Sequence, residues 1–178
     1  MENLTTNLCP QNQYRKEKFF NSGKAALELN FSEPNGNVNL ILAGPSPGKA
    51  GAFDWTGDKC ISTKLSDDEV ITLCMVFLRL TPEAVLKDKK TKHLGKQVYK
   101  NIKVTFDGKS TGTLEGGVLA VKDDDRSINF VHKINIETSA CLRLGLFLLS
   151  VIQSRNPGVP SDTVLTCMRL NANAQSQK

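Results

Sequence analysis

The sequence predicts an α+β fold in which a strand-strand-strand-strand-helix unit occurs twice. Residues 24–80 and 98–154 share one layout: short strand-like runs joined by turns and closed by a long apolar helix. An internal repeat of this kind fixes architecture ahead of any local motif. Alternation of apolar and polar residues marks the runs as half-buried strands. Each closing helix is apolar on nearly every side, so more than one of its faces is buried. Eight short antiparallel strands with two helices make an α+β arrangement.

In chain order, residues 1–18 read as a disordered tail, and residues 19–155 as a single domain. Residues 156–178 read as a C-terminal extension that is partly disordered, from 171 onward above all. Ala25, Leu27, Leu29 and Phe31 alternate with polar or small neighbours, and Glu33-Pro34-Asn35-Gly36 turns the chain into a strand carrying Val38, Leu40 and Leu42. The Gly44-Pro45-Ser46-Pro47-Gly48 stretch breaks the sheet, and short strands follow at residues 49–55 and 59–65. Ser66-Asp67-Asp68-Glu69 is a capping box opening the first helix, residues 66–80. In the second half, residues 98–106 form a strand and Asp107-Gly108 a turn. Two strands, 111–115 and 118–122, flank a kink at Gly116-Gly117. Asp123-Asp124-Asp125 makes a loop, and a strand at 127–136 leads into the helix 138–154.

The 178 residues are 39% hydrophobic, enough for one real core. The net charge of +5 is concentrated: residues 87–109 hold eight lysines against Asp88 and Asp107, a local +6 that leaves −1 for the rest of the chain. A basic strip on an otherwise balanced protein points to a polyanionic partner, with a solvated lysine-rich loop as the plainer reading. Five cysteines show neither metal spacing nor a paired framework, which suggests an intracellular, reducing compartment. The polar N-terminus gives no sign of a signal peptide. The apolar helices are too short and too interrupted, by Arg143 and Gly145 among others, to span a membrane.

Catalytic and metal motifs are weak. Gly44-Pro45-Ser46-Pro47-Gly48-Lys49-Ala50 is one residue short of a phosphate-binding P-loop, has alanine where a magnesium-holding hydroxyl belongs, and loses two amides to proline. His93 and His132 have no partner at ligand spacing, and the Asp123-Asp124-Asp125 triplet reads as a solvated turn. The expectation is a protein that is not an enzyme, with no cofactor and no metal.

Ser22-Gly23-Lys24-Ala25-Ala26-Leu27, then Phe53-Asp54-Trp55-Thr56-Gly57-Asp58-Lys59 and the capped helix from Ser66, resemble the Whirly family of single-stranded DNA-binding proteins. The resemblance runs over roughly residues 22–152, and Ser22 stands where the family has its first lysine. It implies two four-stranded antiparallel sheets packed as blades. It also implies a homotetramer assembled through the apolar helices 66–80 and 138–154, with nucleic acid along sheet edges between neighbouring subunits. The lysine matching Lys24 is tied in that family to nucleic-acid binding and higher assembly. Guide-RNA-binding mitochondrial proteins of trypanosomes share the architecture.

Single strands are held by aromatic faces that stack bases and by lysines that follow the backbone. The aromatic candidates are Phe53, Trp55, Tyr99 and Phe130. The lysine candidates are Lys24, Lys49, Lys59, Lys96, Lys100, Lys103 and Lys133. Core packing is the competing role for each aromatic, and a solvated sheet face for each lysine. The expected function is single-stranded DNA binding with little sequence preference, protecting or organising the strand. An RNA-annealing protein of the same fold, and an oligomeric scaffold for an acidic protein, are the alternatives. A duplex reader would present a polar, basic helix, and both helices here are apolar.

Overall fold

The structure is a computed structural model that describes residues 14–21, 24–106, 111–121 and 128–176. The first half comprises β1 (Tyr14–Asn21), β2 (Ala25–Ser32), β3 (Asn37–Pro45), β4 (Phe53–Asp54), β5 (Ile61–Leu65) and α1 (Asp67–Phe77). The second comprises β6 (Glu83–His93), β7 (Lys96–Phe106), β8 (Thr111–Ala120), β9 (Phe130–Glu137) and α2 (Thr138–Arg155), followed by α3 (Ser161–Ser176). One antiparallel sheet runs β1-β2-β3, with β5 and the two-residue β4 both paired to β3; the other runs β6-β7-β8-β9. The α+β class and the duplicated unit therefore stand, with five strands in the first sheet rather than four and three helices rather than two.

Both halves begin one strand earlier than the sequence suggested. Tyr14–Asn21 is an edge strand paired along its length with β2, from Tyr14 opposite Ser32 to Asn21 opposite Ala25. It is not part of a disordered tail; residues 1–13 lie outside the described residues. Its charges hid it, and those charges are placed. Arg15 and Glu17 share a face with Phe19 and meet α2, where Arg143 Nε donates to Glu17 Oε1 at 2.8 Å and Arg15 donates to the Ser150 hydroxyl at 3.1 Å. Lys18 on the other face pairs with Glu28 at 2.7 Å. Charged edge strands of this kind resist pairing with foreign strands.

The counterpart in the second half is β6, an eleven-residue strand where a lysine-rich loop was expected. Its hairpin to β7 turns at Leu94 and Gly95, with φ of 50° and 78°, the doubly left-handed turn that matches the strands' twist. A bulge between Leu86 and Lys89 interrupts the alternation and obscures the strand in the sequence. β8 runs unbroken through Gly116 and Gly117, so the expected kink is absent from it. Of the strand expected at residues 49–55, only Phe53–Asp54 pairs. The Asp123-Asp124-Asp125 loop and the Asp107-Gly108 turn lie outside the described residues.

The two sheets pack apolar face to apolar face. Leu27, Leu40 and Leu42 on one side meet Ile102, Leu114 and Val118 on the other, all buried. Gly116 permits the close approach: a Cβ there would sit 2.1 Å from Leu42 Cδ1. Burying each such aliphatic side chain stabilises the fold by about 1.5–3 kcal/mol. α1 opens with the full capping box, Glu69 N–H donating to Ser66 Oγ and Ser66 N–H to Glu69 Oε2.

The apolar helices differ from each other. Val70, Leu73, Cys74, Met75, Val76 and Phe77 of α1 are buried inside the protomer, so its all-round apolarity needs no second subunit. α2 keeps Leu142 and Leu146 exposed one turn apart. The C-terminal extension, expected to be partly disordered, is largely α3. Its Val164, Met168 and Ala172, four residues apart, turn toward the core with Met168 and Ala172 buried. No helix of the described residues is long and apolar enough to cross a membrane.

Candidate nucleic-acid interface

At one end of the first sheet the chain leaves β3 at Pro45, loops through residues 46–52, and returns as β4, with Phe53 opposite Pro45. The loop is closed by Ser46 N–H donating to the Ala52 carbonyl at 2.8 Å and carries exposed Lys49. Lys24, exposed, precedes Ala25 at this same end, since Ala26 lies opposite Ala43. Beyond β4, Asp54 Oδ1 accepts from the amides of Thr56 and Gly57 at 3.3 and 2.8 Å, a tight turn that only glycine fits at 57 because a Cβ there would lie 1.8 Å from Asp54 Oδ2. The turn presents Trp55, whose ring centre is 6.5 Å from that of Phe53. Lys18 Nζ sits 4.3 Å from the centre of the Trp55 ring.

The second sheet's edge strand β9 faces this turn. His132 Nε2 donates to the Lys59 carbonyl at 2.5 Å, and His93 Nε2 to the Asp58 carbonyl at 2.7 Å. The carbonyls can only accept, so each imidazole carries its proton on Nε2. Phe130 lies between the two imidazoles, 5.5 Å from His93 and 5.4 Å from His132. Gly44 lets the His132 ring approach; a Cβ there would be 2.9 Å from its Cε1.

Between these walls opens a cleft of about 730 Å³, lined on one side by Pro45, Pro47, Asp54 and Lys59 and on the other by Phe130, Val131 and His132. Six of the residues expected from sequence thus gather at one place: Lys59 and Phe130 on the cleft, and Lys24, Lys49, Phe53 and Trp55 around its rim. Phe130, Pro45 and Pro47 offer surfaces on which bases can lie, and Lys59 in the lining with Lys24 and Lys49 nearby can meet phosphates. Asp54 and Asp58 in the lining disfavour phosphate in the cleft itself.

Tyr99, Lys103 and Lys133 stand elsewhere, on the outer face of the second sheet. Lys103 lies 3.7 Å from Glu83, and Lys133 lies 2.8 Å from Glu115. Half-buried Tyr99 is opposite Leu119. Lys96 is exposed beside the β6–β7 hairpin turn. Lys100 is corrected. It points between the sheets, is 7% exposed, and donates to the Ser62 carbonyl at 2.6 Å. Burial pushes its ammonium below the usual lysine range. Lys100 is thus held inside the protomer rather than on a solvent-facing sheet surface.

Sequence reasoning missed Lys18, Val131, His93 and His132 at the cleft. The alternation of Lys16 and Lys18 with Glu17 and Phe19 was the signal for the first; the histidines' backbone partners lie 35 and 73 residues away in sequence and left none. Among the described residues no group of three or more His, Cys, Asp or Glu side chains is placed to hold a metal ion.

Comparison with solved structures finds the plant transcriptional regulator PBF-2, a Whirly-family protein, with a TM-score of 0.53 over 79% of this chain and 81% of that one. The fold is Whirly-like. Sequence identity over the match is 17%, so the likeness is one of architecture. No family model matches the sequence, and no curated protein does.

Proposed function

We propose that this protein binds single-stranded nucleic acid, DNA in the first instance, with little sequence preference and without catalysis, as a homotetramer that protects or organises the strand. The observation that carries the reading is the cleft between the sheets. Phe130 lines it, the Phe53–Trp55 pair flanks it, and exposed Lys24, Lys49 and Lys59 surround it. Stacking of this kind tolerates any base because every base has a π-face, and lysines track the backbone. The Whirly-like fold supports a nucleic-acid role at the level of architecture.

Assembly is proposed through α2, whose exposed Leu142 and Leu146 form an apolar stripe. α1, covered within its own protomer, contributes less than the sequence suggested. The free, buried Cys60, Cys74 and Cys141 are in keeping with a reducing compartment inside the cell.

The test is fluorescence anisotropy with labelled single-stranded DNA of about 30 nucleotides, long enough for more than one subunit. Matched RNA and duplex DNA are titrated beside it, and native mass spectrometry reads the assembly. Salt-sensitive binding to single-stranded DNA, weaker for duplex, with four protomers per particle, is expected. Preference for RNA would replace DNA as the ligand. Failure to bind any nucleic acid at low salt would end the reading and leave the scaffold.

A further inference from the structure

Gly116 and Gly117 are neighbours in β8, yet only one needs to be glycine. A Cβ at 116 would strike Leu42, whereas a Cβ at 117 would meet Val131 Cγ2 at 3.5 Å and the Phe130 carbonyl at 3.7 Å, ordinary contacts. Gly117 is not among the residues with positive φ. Glycine inside a strand costs stability and, where neither conformation nor packing demands it, marks a place that something else approaches closely.

Gly117 floors a depression of about 430 Å³ on the outer face of the second sheet. Three aliphatic side chains on its walls are unusually exposed for a sheet face: Val85 at 37%, Leu119 at 46% and Val131 at 64%. Asn101, Gly117 and Val131 lie in one row across β7, β8 and β9. Asp88, at the β6 bulge with φ of 57°, donates its N–H to Asn101 Oδ1 at 2.9 Å. That bond orients the Asn101 amide, whose nitrogen has no partner among the described residues. Lys87 and Lys103 stand at the rim with Asp88 and Glu115, Lys103 paired to Glu83 and Glu115 to Lys133. Val131 lines this depression and the cleft alike, so the two adjoin at the β9 edge.

We propose that this niche takes one unstacked nucleobase of a strand that leaves the cleft across Val131. Gly117 is the floor, Leu119 and Val85 are the walls, and the Asn101 amide donates to an acceptor on the base edge. The inference rests on the single-strand reading above. The cleft adjoining at Val131, and Lys87 at the rim, favour the same strand as occupant over a second copy of this chain.

The test compares wild type with Gly117→Val, which fills the niche from a position where the backbone has room for a Cβ, and Leu119→Ala, which removes a wall. Thermal melts verify folding. Each protein is titrated with oligothymidylate and with an abasic deoxyribose-phosphate chain of equal length, at several salt concentrations. Gly117→Val is expected to weaken oligothymidylate binding about tenfold and Leu119→Ala about threefold. The salt slope and the abasic affinity should stay unchanged, because a base contact releases no counterions. Equal oligothymidylate affinity for all three proteins would overturn the niche while leaving the cleft intact. Loss of binding to both probes together with a changed oligomeric state would make the face an interface between copies, which also overturns it. Wild type that binds neither probe would overturn the single-strand reading itself.

Discussion

The Lys18 ammonium stands 4.3 Å from the centre of the Trp55 indole ring, joining the edge strand β1 to the turn after β4. Lys18 is also paired to Glu28, which accepts a hydrogen bond from Asn30. The indole is therefore held by the first sheet and not by its own loop alone. Trp55→Leu keeps an apolar side chain in the turn but removes the stacking face. It is expected to weaken single-stranded DNA binding about tenfold, a contribution of about 1–3 kcal/mol per stacked base, with the melting temperature little changed. Anisotropy beside a thermal melt checks both halves; an unchanged affinity removes Trp55 from the interface.

The lysines separate by salt dependence. Each phosphate contact on a single strand contributes about 0.7 to the slope of log affinity against log salt. Lys59→Met should lower the slope by about that amount. Lys100→Met should leave it unaltered, since Lys100 donates to the Ser62 carbonyl between the sheets. Titrations at four or five salt concentrations read the slopes, and a reduced slope for Lys100→Met would contradict its placement.

Lys100 also makes a pH prediction. Burial lowers its folded-state pKa below the usual 10.5. Between the lowered value and 10.5, the unfolded chain binds more protons than the folded one, so stability gains with rising pH. Below that window both states are protonated, and the cost of the buried charge persists in full. Urea unfolding of wild type and Lys100→Met should show the difference moving in the wild type's favour as pH rises toward 10.5. A flat difference would mean that the ammonium is solvated in the folded state.

Thiol reactivity tests the packing of the helices. Burial pushes Cys74 up to about 12 and Cys141 up to about 11, and raises Cys60 as well, whereas Cys167 on α3 is exposed. Iodoacetamide at pH 8 should label Cys167 in the native protein within minutes and reach the other three only on unfolding. Peptide mass spectrometry reads the sites. Rapid native labelling of Cys74 would show that α1 is not enclosed by its own protomer.

Much of the architecture was legible because burial writes a periodicity. β3 and β7 alternate in burial, β2 alternates in residue type although both its faces are buried, and Ser66 with Glu69 announces α1 two ways at once. The two missed strands share one cause beside the bulge in β6. β1 and β6 are edge strands whose charges are neutralised by partners far away in sequence, Glu28 and Arg143 for β1 and Glu69 for Lys89 in β6, so each read as tail or loop. α3 buries only a narrow stripe, too thin to stand out among its polar residues. At the site, six of the aromatic and basic residues singled out from the sequence lie at or near one cleft. Lys100 was expected among the binding lysines even though the pleat's parity places it with Val98 and Ile102, and it is on that face that the structure buries it.

The central claim is that a single strand lies in the cleft between the sheets. Ultraviolet cross-linking of bromodeoxyuridine-substituted single-stranded DNA, followed by peptide mass spectrometry, tests it most directly. The account predicts cross-links within residues 53–59 and 130–132, reduced by Trp55→Leu. Cross-links confined to the lysines of β6 and the Leu94–Gly95 turn, with none on either wall of the cleft, would contradict it.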